Sequence, residues 1–134
     1  MPLLLDTVTC SAFLKARPEA GIHSRRIQHG GQLSISRLSC AELYALGYRA
    51  NAKKLEQIDD LLSELTILEF DDLCAREYGR LYARLAQRGQ SAGQVDLMIA
   101  ATALVHCLVL VTHDKDFSLI ANVITELGLD DWLT

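Results

Sequence analysis

The chain predicts an α/β fold of three layers, with a central, mainly parallel sheet of about five strands between helices. Short, wholly apolar runs such as Leu3–Leu5 and Leu108–Val111 suit strands buried on both faces. Segments with three- and four-residue apolar spacing alternate with such runs along the whole length. No linker, repeat or low-complexity tract interrupts the alternation, so residues 1–134 read as one domain.

The elements follow in order. Leu3–Leu5 reads as a buried first strand with Asp6 and Thr7 at its polar tip. Val8–Lys15 reads as a helix that stops before Pro18, because the residue ahead of a proline is pushed out of the helical region. Pro18 opens a second helix, closed by Gly30 and Gly31. Leu33–Ser36 alternates as a strand, and a helix from Ser39 runs through Leu46 with Gly47 near its end. Asn51–Leu65 is an amphipathic helix: Leu55, Ile58, Leu62 and Leu65 share one face, and Lys53, Lys54, Glu56, Asp59 and Asp60 form the solvated side. Thr66–Phe70 reads as a strand, and Asp71 or Asp72 caps a long helix ending at Gly89. Gln94–Cys107 is apolar nearly all round, which predicts a helix inside the body of the domain. The Leu108–Thr112 strand, a short helix from Phe117, a brief strand at Val123–Thr125 and an acidic tail complete the chain.

Half of the residues are apolar and 22% are charged, the profile of a folded globular chain. MPLLLD lacks a basic leader region and no apolar run approaches the roughly 20 residues of a membrane span, so a soluble, cytoplasmic protein without membrane contact is expected. Cys10, Cys40, Cys74 and Cys107 form no C-x-x-C pair and read as buried free thiols in a reducing compartment. The net charge of −4 argues against sequence-blind electrostatic binding of nucleic acid. A site that gathers carboxylates around a cation is still compatible with it, since the bound ion reverses the local field.

In open α/β sheets the working surface lies at the carboxyl ends of the strands. Asp6 and Asp114 follow the two strongest strands, and Glu42 and Asp96 sit in the first turns of predicted helices, where negative charge is favoured. Crowded carboxylates repel unless one is protonated or a cation intervenes. All-oxygen ligands without neighbouring cysteine or paired histidine suit Mg²⁺ or Mn²⁺ rather than zinc. Each acid also has a plainer reading. Ser39-Cys40-Ala41-Glu42 is a capping box in form, Asp96 is a first-turn acid, and Asp114 or Asp116 can cap the last helix.

Taken in order, LLLDT, AELYALG, VDLMIAATAL and LVTHDKDF resemble the signature of PIN-domain ribonucleases, most closely the VapC-type toxins of bacterial toxin-antitoxin pairs. The resemblance spans nearly the whole chain. It implies that Asp6, Glu42, Asp96 and Asp114 hold the metal, with Asp116 as a possible further acid. Two departures stand out: Val8 occupies the place of an asparagine common after the first acid, and SAGQVD lacks a proline common before the third.

The resemblance further implies hydrolysis of RNA with one or two Mg²⁺ or Mn²⁺ ions, leaving a 5′-phosphate and a 3′-hydroxyl. It also implies a homodimer neutralised by a VapB-like antitoxin, with the leucine-rich segment from Ala45 to Leu65 available for either contact. Thr7 and Thr112 stand beside the acids as possible orienting groups. Arg76, Arg80, Arg84 and Arg88 recur every fourth residue as a slanting basic stripe, of a type suited to phosphate, though with Glu77 and solvent beside it an ordinary charged face is the favoured reading. Tyr78 and Tyr82 could stack on bases or pack in a core, and His113 and Lys115 flank the acids, facing RNA or water. The rival readings are a receiver-like Mg²⁺-binding signalling domain and a catalytically degenerate PIN scaffold. A receiver-like domain would carry paired acids after its first strand and a lysine directly after a late one; this chain has neither. A haloacid-dehalogenase phosphatase would carry an acid where Val8 stands.

Overall fold

The computed structural model describes residues 2–15 and 20–133. The predicted helix start at Pro18 lies outside the described residues. Five strands, β1 (Leu3–Leu5), β2 (Leu33–Ser36), β3 (Thr66–Leu68), β4 (Val109–Val111) and β5 (Leu129–Asp130), form one sheet in the order β3-β2-β1-β4-β5. Every neighbouring pair is parallel, with Leu5 opposite Ile35 on one side and Val111 on the other. The first strand is therefore the centre of the sheet, which is why its three leucines are all buried.

Successive strand residues point to opposite faces. Leu3, Leu5 and Val111 pack with α1 (Thr7–Phe13), α2 (Ala20–His29), α3 (Arg37–Ala50) and α4 (Ala52–Ser63) through Cys10, Phe13, Ile22, Leu43, Ile58 and Leu62. Leu4 and Leu110 pack on the other side with α5 (Asp72–Gln87), α6 (Gln94–Val105) and α7 (Lys115–Val123) through Leu81, Leu85, Leu97, Phe117 and Ile120. These are the three predicted layers. The uniformly apolar α6 has six buried residues from Leu97 to Ala103, as its composition requires.

Several boundaries differ from the sequence reading. The cap of α3 is Ser36, whose hydroxyl accepts from the Leu38 N–H, so the helix starts earlier and Ser39 lies buried inside its first turn. Ser39 Oγ has no hydrogen-bond partner among the described residues. Gly47 does not end the helix but faces α4: a Cβ there would come 2.7 Å from Leu55 Cδ2 and 2.9 Å from Ile58 Cδ1. The last helix starts at Lys115 and continues through Val123, and the final strand is Leu129–Asp130 rather than Val123–Thr125. Val123 ends α7, and Ile124 caps it while packing in the same core as Phe117 and Ile120, so this β-branched run closes a helix and leads into a turn instead of forming a strand. Cys107 is exposed, contrary to the expectation for all four thiols, and adopts φ 55° just beyond α6. Among the described residues no helix is long and apolar enough to cross a membrane.

Candidate metal centre

The carboxyl ends of the strands bring the acids to one edge of the sheet. Asp6 follows β1, and its N–H donates to the Val111 carbonyl, which ties the site's first residue to the neighbouring strand. Asp6 is also the cap of α1: Oδ1 accepts from the Thr9 N–H at 2.8 Å. Its other oxygen accepts from Thr112 Oγ1 at 2.6 Å, while the same hydroxyl accepts from the Asp114 N–H at 3.0 Å. Thr112 thus joins the first acid to the last loop. Both threonine and aspartate are buried, so neither can satisfy itself with bulk water.

Glu42 projects from the second turn of α3, and Thr7 Oγ1 donates to its Oε1 at 2.6 Å. The capping-box alternative for Glu42 is overturned by this bond and by the cap at Ser36. Asp114 caps α7 by accepting from the Asp116 N–H at 2.9 Å. Asp96 lies in the first turn of α6, where Gly93 starts the helix without a side-chain cap. The Asp96 carboxylate folds back over that end, 3.4 Å from where a Cβ on residue 93 would stand.

Asp96, Asp114 and Asp116 each present an oxygen within 4.8 Å of the others. Burial, then the charges of Asp114, Asp116, Glu42 and Asp6 in that order, push the Asp96 carboxyl up to about 6. All five acids are therefore electrostatic neighbours, and the two aspartates of the last loop are the closest charges. The donors are all oxygen. Ligands at about 2.1 Å on opposite sides of Mg²⁺ lie roughly 4 Å apart, so a small inward movement of the three carboxylates suits a hard divalent ion. The donor set fits the metal that the sequence implies.

The cations are less uniform. Arg76 pairs with Asp72 at 2.8 Å, Arg80 with Glu77 at 3.2 Å, and Arg84 with Glu126 in a two-pronged contact. Within the predicted stripe, Arg88 alone has no acidic partner among the described residues. His113 Nδ1 lies 2.8 Å from Asp131 Oδ2, and Lys115 is exposed at the start of α7. Tyr82 is exposed, whereas Tyr78 packs partly against the core, their rings 6.2 Å apart. Sequence reasoning had missed Asp131 and the loop from Gln90 to Gly93 beside Asp116. Asp131 becomes a neighbour only when β5 pairs with β4, and no local pattern announces that.

Comparison with known proteins agrees with this geometry. The PIN domain family matches residues 3–123. Ribonuclease VapC2 of Haemophilus influenzae is 32% identical over 126 residues, covering 92% of this chain and 95% of its own. The tRNA(fMet)-specific endonuclease VapC of Salmonella typhimurium is 30% identical and covers 98% of both chains. A chain in the crystal structure of DNA-bound VapBC from Salmonella typhimurium superposes with a TM-score of 0.85, at 29% identity and 98% coverage of each chain. Sheet order, the acidic edge and these matches agree: the chain belongs to the PIN-domain family, among its VapC-type members.

Proposed function

We propose that the chain is a divalent-metal-dependent endoribonuclease and the toxin of a toxin-antitoxin pair. The observation that carries this reading is the convergence of Asp96, Asp114 and Asp116, in a PIN domain whose relatives are named ribonucleases. Those three hold the ion, and Asp6 and Glu42 complete the ligand set, each oriented by a threonine. Bound there, one or two Mg²⁺ or Mn²⁺ ions supply charge neutralisation at the phosphodiester and an acidified water. The protein's own part is to keep five carboxylates in register.

Lys115 and Arg88 are the proposed phosphate contacts, with His113 joining them in competition with Asp131. Arg76, Arg80 and Arg84 can join them only in competition with Asp72, Glu77 and Glu126. The name of the Salmonella relative makes initiator tRNA the first substrate to try. The solved VapBC complexes support a VapB-like antitoxin as partner. Leu46 and Tyr48, 49% and 78% exposed on α3, offer apolar surface for it or for a second copy of the chain. Four free cysteines are compatible with action in the cytoplasm.

The test is cleavage of initiator tRNA and of total RNA by purified chain in Mg²⁺ or Mn²⁺. Cleavage should stop with EDTA and in Asp96→Asn. Cutting that survives both treatments would overturn the assigned site.

A further inference from the structure

A cavity of about 350 Å³ lies between the loop that joins α5 to α6 and the first turns of α7. We propose that it receives one unpaired nucleobase of the RNA, beside the phosphate that is cut, and that Gln90 and Ser91 read the edge of that base. The inference rests on the endoribonuclease reading above.

Asp116 forms one wall. Because its carboxylate is also within 4.8 Å of Asp96 and Asp114, an occupant of the cavity adjoins the metal centre. The volume is at the low end of the roughly 300–1,000 Å³ usual for small-ligand sites and is enough for a single base. Ile120 lies buried at the floor, and Leu119 stands at the rim with 60% of its surface exposed. An exposed leucine in the same wall as Asp116 gives a base an apolar face on which to lie. The Gln90 amide carries both donors and an acceptor, and the Ser91 hydroxyl carries one of each kind, which is the equipment for reading a base edge.

The loop is held at both ends. Gly89, at φ +67°, allows its own N–H to reach Ala86 O at 3.0 Å and that of Gln90 to reach Leu85 O at 2.9 Å, the Schellman closure of a helix. At the far end the Leu97 N–H bonds Gly93 O at 3.0 Å. The pocket is thus shaped before RNA arrives. A second cavity, on the other side of the α7 start, is lined by Asp114, Asp130 and Asp131 together with His113 and Lys115, the groups proposed above to contact phosphate. The first cavity has Asp116 as its one charged wall among the described residues, and offers a base the Leu119 face and the Gln90 and Ser91 side chains instead.

The experiment is cleavage of short single-stranded RNAs, randomised around one cut, by the full chain in Mn²⁺. Wild type should prefer one base at one position flanking the cut, and Gln90→Ala should flatten that preference about tenfold or more, the scale of a lost bidentate base contact. An abasic ribose at the same position should slow wild type by a similar factor and Gln90→Ala far less. Leu119→Ser should weaken the same position, and Ser118→Ala, which lines the opposite cavity, should leave the preference as in wild type. Cutting with the same preference in Gln90→Ala and Leu119→Ser overturns the pocket and leaves the nuclease reading standing. RNA left intact by wild type in either metal overturns both.

Discussion

Thr112 makes two bonds at once, one to the Asp6 carboxylate and one from the Asp114 backbone. Valine has nearly the same shape and neither bond. Partners that orient metal ligands typically contribute about 10 to 100-fold in affinity or activity, so Thr112→Val should lower RNA cleavage by that factor and raise the Mg²⁺ concentration for half-maximal rate. Asp96→Asn should cost more than Thr112→Val, because it removes a ligand and not its support. The same substitution should stabilise the metal-free protein, since burial, and after it the charges of four other carboxylates, push Asp96 up to about 6. Calorimetry without metal, showing a lower Tm for Asp96→Asn than for wild type at pH 7, would contradict that account. The resemblance in the sequence had named all five of these acids; Asp6, Asp96 and Asp114 also stand at a strand end or in a first helical turn, whereas Glu42 lies in the second turn of α3. It had not distinguished their parts: Asp114 both caps α7 and joins the acidic triple, and Asp116 belongs to the triple as well.

At the scale of elements, helix ends account for most differences between expectation and structure. The α6 helix closes with the Cys107 N–H on Leu104 O at 3.2 Å and the Leu108 N–H on Ala103 O at 2.8 Å, a geometry that places Cys107 at φ 55°. A left-handed residue with a Cβ costs roughly 1–2 kcal/mol, which glycine avoids, though glycine loses more freedom on folding. Cys107→Gly should therefore raise stability by about 1 kcal/mol in urea unfolding. Arg84 binds the Glu126 carboxylate and the Val123 carbonyl, fastening α5 to the turn between α7 and β5. As an exposed pair screened by solvent it contributes little. The Arg84 guanidinium draws Glu126 down from 4.5 to about 2, so this contribution is present above the ordinary carboxyl range and is lost as pH falls through about 2. Arg84→Ala should destabilise at pH 7 and make little difference near pH 2, as melts at the two pH values will show.

For the whole molecule, the electrostatic cost of the acidic edge falls on folding itself. Asp96 goes from an ordinary 3.8 to about 6, so between those values the folded chain binds more protons than the unfolded one. Its contribution is full at lower pH and is lost as pH rises through about 6. The stability gap between Asp96→Asn and wild type should therefore widen from pH 4 to pH 7 without metal. Saturating Mg²⁺ should raise the wild-type Tm more at pH 7 than at pH 5, because protons compete with the ion for the same oxygens. Much of this molecule is determined by periodicity and apolar runs, which act locally: the central strands Leu3–Leu5 and Leu33–Ser36, the buried helix beginning at Gln94, and acids placed at strand and helix starts. Tertiary structure alone decided the rest. The position of β5, the Thr112 link across 106 residues and the meeting of His113 with Asp131 arise where separate segments pack. Hydrophobic period reports which way a side chain faces within its own element; which neighbour it finds depends on strand order, and that order is set only when the whole sheet assembles around Leu3–Leu5.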